Sequence, residues 1–511
     1  MSKSTMDKMP MFNAYPDSIG GNLKELAEVL SSEELKDLFG TFYILPSLFH
    51  SDLDRGFSVI DYDLNEEYAT KEDLKKLQQL GMDLKLDFIL NHASVQSPQF
   101  QDLLKNGEKS EYKDFFINWN EFWAGCGEMT EEGYIQPKQK YLDKMFFRKP
   151  GLPILMVTMP DGKKVPYWNT FYQEVKETED GYSYLGQMDL NIKSPLVWKF
   201  YQDVMGKLAG YGAKIVRLDA FAYAPKEPGE KNFLNDPGTW DFLNEIFKLA
   251  EPYHVSLLPE IHASYEEKIY ETVAEKGYAT YDFFLPGLII DALETGSGDV
   301  LVKWAEEINE KQIQTVNMLG CHDGIPLLDL KGLIPEERIG QLIDTIVSHG
   351  GFVKNLHGQK NVYYQVNATY YSALGEDDRK MLLARALQLF MPGKPQIWYL
   401  DLFAGKNDHE AVKRAGAGGH KEINRTNLSV SDVKESLKKD VVKNQIQMIR
   451  FRKQFGAFAE GAKQRFLSND AKIYMSWEKG EKKAVLRADL KNFSFEIRGL
   501  EGEKEVFTQI Q

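Results

Sequence analysis

Residues 214–219 read Lys-Ile-Val-Arg-Leu-Asp, a short apolar run that ends on a carboxylate. Runs of about 4–8 apolar residues are typical of strands buried in a parallel sheet, and helical patterns such as Thr70–Gly81 lie between them here. Seven similar runs occur elsewhere in the chain, at Met11–Tyr15, Thr41–Pro46, Leu84–Leu90, Val255–Leu258, Thr280–Leu285, Gln314–Leu319 and Gln396–Leu400. Eight strands alternating with helices predict an α/β fold built on a closed (β/α)8 TIM barrel.

Two long segments interrupt this alternation, one after the third strand and one after the seventh. Near the end, Ala471–Trp477 and Lys482–Ala488 alternate apolar and polar residues around a turn-like Glu-Lys-Gly-Glu, which predicts antiparallel strands. We therefore expect a barrel with two insertions and a C-terminal antiparallel β domain. The predicted ranges are 1–92, 194–323 and 379–460 for the barrel, 93–193 for insertion domain B, 324–378 for insertion domain B′, and 461–511 for the β domain.

Composition excludes several classes of protein. The 511 residues are 43% hydrophobic and carry a net charge of -14, so we expect no general attraction to nucleic acid or anionic membranes. No signal-peptide pattern begins the sequence and no apolar run is long enough to span a membrane, which predicts a cytoplasmic location. Two cysteines, Cys126 and Cys321, do not make a disulfide framework or a zinc site.

Ionisable residues cluster where the predicted strands end, which is where barrel enzymes place their chemistry. The third strand leads to His92, the fourth ends Arg217-Leu-Asp219, the fifth ends Glu260-Ile-His262, and the seventh is followed by His322-Asp323. Acids that converge on one barrel mouth repel each other and cost stability, so four such clusters indicate a functional site.

These four segments resemble the signature regions of the α-amylase family, glycoside hydrolase family 13. The resemblance implies that Asp219 is the nucleophile, Glu260 the general acid/base and Asp323 the transition-state stabiliser of a retaining enzyme. Arg217 would keep Asp219 ionised, and Glu260 would need a raised pKa to be protonated in the first step. His92 and His322 resemble the family's glucose-hydroxyl ligands.

Other segments resemble the sucrose phosphorylase branch of that family. They are Asp54-Arg-Gly-Phe57, Gln187-Met-Asp189, Val-Arg-Leu-Asp-Ala-Phe-Ala-Tyr223, Tyr364-Gln365 and Ile-Asn-Arg425. In that branch inorganic phosphate replaces water as the acceptor, and the product is α-glucose 1-phosphate. The resemblance implies that Asp54, Phe57, Gln187 and Arg425 bind glucose. It also implies that Tyr223, His262, Tyr364, Gln365 and one of Arg148 and Lys149 serve the acceptor site, without deciding between that last pair.

The segment from Thr345 to Gly375 contains no Asp or Glu, whereas about four or five would be expected from the chain's acidity. This predicts a local positive field and a leaving group with its own phosphate, such as fructose 6-phosphate. The candidates for binding it are His357, Lys354 or Lys360, and Arg148. A carboxylate such as glycerate would also suit a basic segment, and plain sucrose or glucosylglycerol use the same chemistry.

Two readings from other classes are an α-glucan hydrolase or transglucosylase and a non-catalytic binding barrel. Tyr223, where amylases usually have His, argues against the first, and the three acids argue against the second. Many amylases bind Ca2+ near the first insertion, but no compact loop of oxygen ligands occurs in this sequence. We expect no metal and no organic cofactor, small-molecule partners (a glucoside and phosphate), and either a monomer or a homodimer.

Overall fold

The computed structural model describes residues 3–4, 6–179, 181–353, 365–416 and 419–511. Four of the predicted acceptor-site residues, Lys354, His357, Lys360 and Tyr364, lie outside the described residues. Among the described residues, we find no helix with the length and apolar character needed to cross a membrane.

Eight parallel strands form a nearly closed barrel, which confirms the predicted fold. They are β1 (Met11–Ala14), β2 (Thr41–Ile44), β3 (Asp83–Ile89), β4 (Ala213–Asp219), β5 (Ser256–Pro259), β6 (Thr280–Asp282), β7 (Thr315–Met318) and β8 (Lys394–Trp398). Along the sheet they lie in the order β5-β4-β3-β2-β1-β8-β7-β6. Arg217 on β4 is in register with Asp87 on β3, so both side chains face the same side of the sheet.

Helices cover the outside of the barrel, and one of them begins with a capping box. The longer ones are Leu23–Leu30, Lys71–Gln79, Pro195–Gly210, Gly238–Ala250, Ile269–Glu275, Leu285–Thr295, Asp299–Glu310, Glu336–Ser348, Asp378–Phe390 and Asp440–Gln454. Thr70 begins the second of these with a capping box, because its side chain accepts from the backbone N–H of Asp73 while the Asp73 carboxylate accepts from that of Thr70.

The insertion after β3 is a small β structure that packs on the barrel mouth. Its strands are His92–Ser94, Gly127–Met129, Ile135–Pro137, Ile154–Thr158, Lys164–Trp168, Gln173–Thr178 and Gly181–Asp189. It has its own apolar cluster around Trp119, Trp123 and Trp168, and Asp189 pairs with His92 in an antiparallel ladder. The insertion therefore leads the chain both out of and back into the site.

Lys226 joins this insertion to the barrel through a buried ammonium group. Its Nζ lies 2.8 Å from the Asp189 Oδ2 and 3.0 Å from the Asn91 Oδ1, and it also donates to the backbone carbonyl of Tyr223. Lys226 and Asp189 are both almost fully buried. The three oxygen acceptors come from three separate segments, so one cation holds the β3 exit, the insertion and the β4 exit together.

The second insertion and the C-terminal segment are smaller. Ile325–Pro326, Phe352–Val353 and Gln365–Asn367 form a short antiparallel sheet after β7. The C-terminal sheet has five antiparallel strands, Lys463–Asn469, Lys472–Lys479, Lys482–Asp489, Ser494–Glu501 and Lys504–Ile510. The two strands predicted from alternation lie in its centre, where one face is buried, and the three others were not predicted. The residue limits of the predicted domains stay a prediction.

Candidate active site

Three carboxylates lie together at the carboxyl end of the barrel. Asp219 is the last residue of β4, Glu260 follows β5 directly, and Asp323 lies five residues beyond β7. Their side chains are 14%, 15% and 18% exposed, so all three are largely buried but keep some accessible surface. The structure thus brings together the three acids that the sequence analysis selected.

Arg217 is the cation that links these acids at the base of the site. Its Nη1 lies 2.6 Å from the Asp87 Oδ1 and 2.9 Å from the Asp219 Oδ1, and its Nη2 lies 3.5 Å from the Glu260 Oε1. The arginine is almost fully buried. A buried guanidinium with this fork of donors orients the carboxylates and offsets their mutual repulsion.

Burial and neighbouring charges act on both Asp219 and Glu260. Burial raises the pKa of Asp219 to about 7, against the opposing effect of Arg217, and the charge of Glu260 raises it further. Burial also acts to raise the pKa of Glu260, but Arg217 and a hydrogen bond from His262 outweigh it and lower that pKa to about 2. Two cationic side chains thus contact Glu260. The raised pKa that Glu260 needs in the first step, and the ionised form of Asp219, stay predictions.

His262 connects Glu260 to a second buried carboxylate, Asp329. The His262 Nε2 lies 3.3 Å from the Glu260 Oε1 and its Nδ1 lies 3.2 Å from the Asp329 Oδ1. The imidazole stacks on Phe283 with ring centroids 3.8 Å apart. Sequence reasoning missed Asp329, since it lies in a 3-10 turn, Leu328–Leu330, that carries no motif.

Asp54 and Asp323 face each other across an adjacent part of the pocket, with two cations between them. The Arg425 Nη1 lies 2.9 Å from the Asp54 Oδ1, and the Lys421 Nζ lies 3.1 Å from the Asp54 Oδ2 and 2.7 Å from the Asp323 Oδ1. Burial acts to raise the pKa of Asp323, but His322, Lys421 and Arg425 hold it well below its usual range. Lys421 was not among the predicted site residues.

The Phe57 ring and three polar neighbours, His92, Gln187 and His322, form one wall of this pocket. Phe57 stacks on His322 with centroids 4.9 Å apart and an interplanar angle of 11°. The His92 Nε2 lies 2.9 Å from the Phe57 carbonyl oxygen, and the Gln187 side chain donates to the same oxygen at 3.1 Å. The structure thus brings these four predicted glucose-binding residues side by side.

A strained turn presents Asp54 to the pocket. Asp54, Arg55 and Gly56 all have positive φ, at 47°, 49° and 116°. A Cβ on Gly56 would lie 2.1 Å from the Ser47 backbone nitrogen, so only glycine fits. Arg55 fixes the turn, because its guanidinium donates to the Arg425 carbonyl oxygen at 2.7 Å and to the Asp17 carboxylate at 2.8 Å.

The structure places three of the predicted acceptor-site residues, Arg148, Lys149 and Gln365, in different surroundings. The Arg148 guanidinium lies 5.4 Å from the centre of the Phe171 ring and 5.9 Å from that of the Tyr223 ring. The Lys149 ammonium instead donates to the side-chain oxygen of Asn169, and burial lowers its pKa to about 8. Gln365 begins the strand Gln365–Asn367 and pairs in register with Pro326.

Metal ligands do not assemble in the described part of the chain. Within those residues, no group of three or more His, Cys, Asp or Glu side chains is arranged to hold a metal ion.

A (β/α)8 barrel with paired carboxylates at its carboxyl end is an architecture of retaining glycoside-processing enzymes. A family model described as the catalytic domain of α-amylase matches residues 12–324. The chain belongs to the α-amylase family.

Full-length relatives narrow the comparison. The chain is 54% identical to a sucrose 6(F)-phosphate phosphorylase from Ilumatobacter coccineus, over 97% of this chain and 96% of that one. It is 37% identical to a sucrose 6(F)-phosphate phosphorylase from Thermoanaerobacterium thermosaccharolyticum, over 94% and 95%. The crystal structure of a sucrose 6F-phosphate phosphorylase from Thermoanaerobacter thermosaccharolyticum is similar with a TM-score of 0.88, at 35% identity and 99% coverage of this chain and 98% of that one.

Proposed function

We propose that the protein is a retaining glycoside phosphorylase that converts sucrose 6(F)-phosphate and inorganic phosphate to α-glucose 1-phosphate and fructose 6-phosphate. The observation that carries this proposal is the 54% identity, over nearly the whole length of both chains, to a relative of that name. The arrangement of carboxylates at the barrel mouth supports the same chemistry.

The proposed reaction has two displacement steps. Asp219 attacks the anomeric carbon while protonated Glu260 gives its proton to the leaving oxygen, which forms a glucosyl-enzyme. Phosphate then attacks the same carbon from the opposite face, Glu260 accepts a proton, and Asp219 leaves. Asp323 stabilises the positive charge that develops on the sugar ring. Two inversions give net retention.

Glucose is proposed to bind between the Phe57 wall and the Asp54 side of the pocket. The residues that contact it in this proposal are Asp54, Phe57, His92, Gln187, Arg217, His322 and Arg425. Carboxylates and guanidinium groups are suited to paired hydrogen bonds with sugar hydroxyls, and a flat ring suits the apolar face of the sugar.

The proposed acceptor phosphate contacts Tyr223, His262 and Arg148. Of the basic pair left open by the sequence, Arg148 is the better candidate because it lies against Tyr223, whereas Lys149 is engaged with Asn169. Tyr364, Gln365 and Lys149 complete the set of acceptor-site candidates from the sequence. Phosphate is a substrate in this scheme, so no organic cofactor takes part.

The phosphate of the leaving fructose is proposed to bind His357, Lys354 or Lys360, together with Arg148. Lys354, His357 and Lys360 lie in the segment without acids and outside the described residues, whereas Arg148 lies in the first insertion. Since a sugar phosphate does not cross a bilayer unaided, we place the reaction in the cytoplasm, with small molecules as the only proposed partners.

A donor screen tests the proposed function. The protein is incubated with phosphate and each of sucrose 6(F)-phosphate, sucrose, glucosylglycerol and glucosylglycerate, and glucose 1-phosphate is measured. We expect sucrose 6(F)-phosphate to react at least about tenfold faster than the others, which corresponds to about 1.4 kcal/mol of transition-state binding. Equal rates, or a preference for sucrose or glucosylglycerate, would contradict the proposed leaving group.

Variants locate the source of that preference. His357→Ala and Lys360→Ala should reduce kcat/KM for sucrose 6(F)-phosphate and leave that for sucrose nearly unchanged. Lys163→Ala is the matched control, because Lys163 is an exposed lysine in the first insertion. Asp219→Asn should abolish turnover of every donor. If the unaltered protein released glucose from these donors in the absence of phosphate, that result would favour a hydrolase instead.

A further inference from the structure

The two-step scheme does not say which group supplies the proton that Glu260 gives to the leaving oxygen. Glu260 needs a proton before it can act as an acid, yet two cationic side chains, Arg217 and His262, contact it and favour the ionised form. The proton therefore has to reach Glu260 from a group within hydrogen-bond distance when the substrate binds. His262 is such a group, since its Nε2 lies 3.3 Å from the Glu260 Oε1.

The contacts of His262 determine how many protons it shares. A neutral imidazole has one N–H, whereas ionised carboxylates only accept hydrogen bonds. Asp329 accepts from Nδ1 at 3.2 Å, so the one N–H of a neutral imidazole would be used there and a bare Nε2 would face Glu260. The Nε2–Oε1 contact then requires one further proton, either on the imidazole or on the carboxyl group.

We propose that Asp329 is a positioning residue that keeps this shared proton in the contact between His262 and Glu260, where it serves the first glycosyl transfer. The inference rests on the proposed function and adds the origin of the proton that it needs. In the step, the Nε2–H bond breaks as the Glu260 O–H bond forms, and Glu260 then protonates the departing fructosyl oxygen. In the second step Glu260 takes a proton from the attacking phosphate and returns it to the His262 Nε2, so the protons balance over the cycle.

The surroundings of His262 hold it in this geometry. Asp329 is 3% exposed and the His262 side chain is 6% exposed, so their contact is shielded from solvent. Stacking on Phe283 fixes the plane of the imidazole, which keeps both nitrogens directed at their carboxylates. Burial acts to lower the pKa of His262, but Asp329 and Glu260 together raise it to about 9.

Other charged groups face the same contact and set its balance. Arg217 lies 3.5 Å from Glu260 and favours the ionised carboxylate, whereas the negative charge of Asp323 favours the protonated one. Other titratable groups whose charges act on Glu260 or on its partner Asp219 include Tyr62, Tyr223, Tyr281 and Asp87. A bound anionic substrate adds negative charge beside them and moves the proton toward Glu260.

A pair of donors that differ in their need for acid tests this inference. Fluoride leaves α-glucosyl fluoride without prior protonation, whereas the fructosyl oxygen of sucrose 6(F)-phosphate must be protonated. We expect Asp329→Asn to reduce kcat/KM for sucrose 6(F)-phosphate about 10- to 100-fold and that for α-glucosyl fluoride less than about threefold. Asp329→Glu, which keeps the carboxylate, should recover part of the loss. Equal losses on both donors would show a merely structural role and overturn the proposal.

The pH profile gives a second measurement that uses the unaltered protein. The basic limb of kcat/KM, where the shared proton is lost, should be present with sucrose 6(F)-phosphate and absent with α-glucosyl fluoride. In Asp329→Asn that limb should move to lower pH, because a neutral amide no longer stabilises the proton. A limb common to both donors in the unaltered protein would also overturn the proposal, even if Asp329→Asn failed to fold.

The control is Asp291→Asn, since Asp291 is another largely buried carboxylate with a cationic partner, Arg338, away from the site. It should change neither the ratio of the two donors nor the pH limb. If the unaltered protein prefers another glucoside, the proposed function fails while the same comparison of that glucoside with α-glucosyl fluoride still tests Asp329.

Discussion

Lys421 places its ammonium between Asp54 and Asp323, where the proposed scheme puts glucose. The cation lowers the cost of holding two carboxylates in one small pocket, and it also lowers the pKa of both. An occupied pocket therefore has to accommodate the lysine beside the sugar or move it aside. In either case its charge sets the ionisation of Asp323.

Removal of that charge should change the acid side of the pH profile. In Lys421→Met, the pKa of Asp323 should rise because a neighbouring cation is gone, so the acidic limb of kcat/KM should move to higher pH. We expect kcat/KM near neutral pH to fall about tenfold, or about 1.4 kcal/mol. Lys413→Met, at an exposed lysine that pairs with Glu410, should leave the profile in place. An unmoved limb in Lys421→Met would contradict the assignment.

His262 also predicts how folding stability depends on pH. Its pKa is raised in the folded protein to about 9, compared with about 6.5 when unfolded. The contribution to stability is therefore fully present below about pH 6.5 and is lost as pH rises through about 9. Denaturant unfolding of Asp329→Asn and the unaltered protein should differ most near pH 6 and converge above pH 9. A constant difference would be inconsistent with this linkage.

Site residues that lie at the ends of predicted strands could be identified from the sequence. Site residues that lie in turns between the regular elements could not. Asp219 and Glu260 terminate strands, so their meeting at one barrel end follows from parallel strands alone. Asp329 and Lys421 lie in 3-10 turns far along the chain, and only the fold brings them to the site. The proton balance between Asp219 and Glu260 depends on distances to Arg217 and His262, which spacing in the sequence does not contain.

At the scale of elements, the turn Asp54–Gly56 joins the antiparallel strands Phe49–Leu53 and Ser58–Leu64. Its strained backbone positions the Asp54 carboxylate. Non-glycine residues with positive φ cost about 1 kcal/mol or more each, and such strain persists where the surrounding contacts enforce it. Here Arg55 supplies those contacts, because its guanidinium donates to the Arg425 carbonyl oxygen and to the Asp17 carboxylate. The turn is thus a fixed part of the proposed glucose site.

Substitution of the glycine in this turn should damage both stability and activity. Gly56→Ala places a Cβ 2.1 Å from the Ser47 backbone nitrogen, so we expect the turn that carries Asp54 to shift. We expect a loss of about 2–4 kcal/mol of unfolding free energy and a fall in kcat/KM of more than about 100-fold. Gly162→Ala is the matched control, because Gly162 also has positive φ but nothing lies within 4 Å of its Cβ position. It should cost about 1 kcal/mol and leave activity intact.

At the scale of the whole molecule, the first insertion must stay registered on the barrel for the proposed site to exist. It contributes Gln187 and the Arg148 region, while the acids come from the barrel. Lys226 is the buried link between the two through Asp189, Asn91 and the Tyr223 carbonyl. A buried ion pair is worth little net stability, but loss of one partner leaves the other charge uncompensated.

Lys226→Met should therefore destabilise the protein by about 3–5 kcal/mol and open the insertion to proteases. Thermal unfolding and limited proteolysis within residues 93–193 measure this effect. Adding Asp189→Asn to Lys226→Met should recover part of the loss, since the unpaired charge is then removed. Lys193→Met, which breaks an exposed pair with Glu227, should change the unfolding free energy by less than about 1 kcal/mol. Equal effects of the two single variants would argue against the buried link.

The Lys226 link also bears on the conditions under which the protein works. Its cation is part of the polypeptide, so it cannot be diluted, exchanged or stripped by a chelator. Divalent ions that hold loops together in other proteins form poorly soluble salts with phosphate, which is the proposed co-substrate here. A lysine in this position keeps the attachment of the insertion independent of the phosphate concentration that the proposed reaction requires.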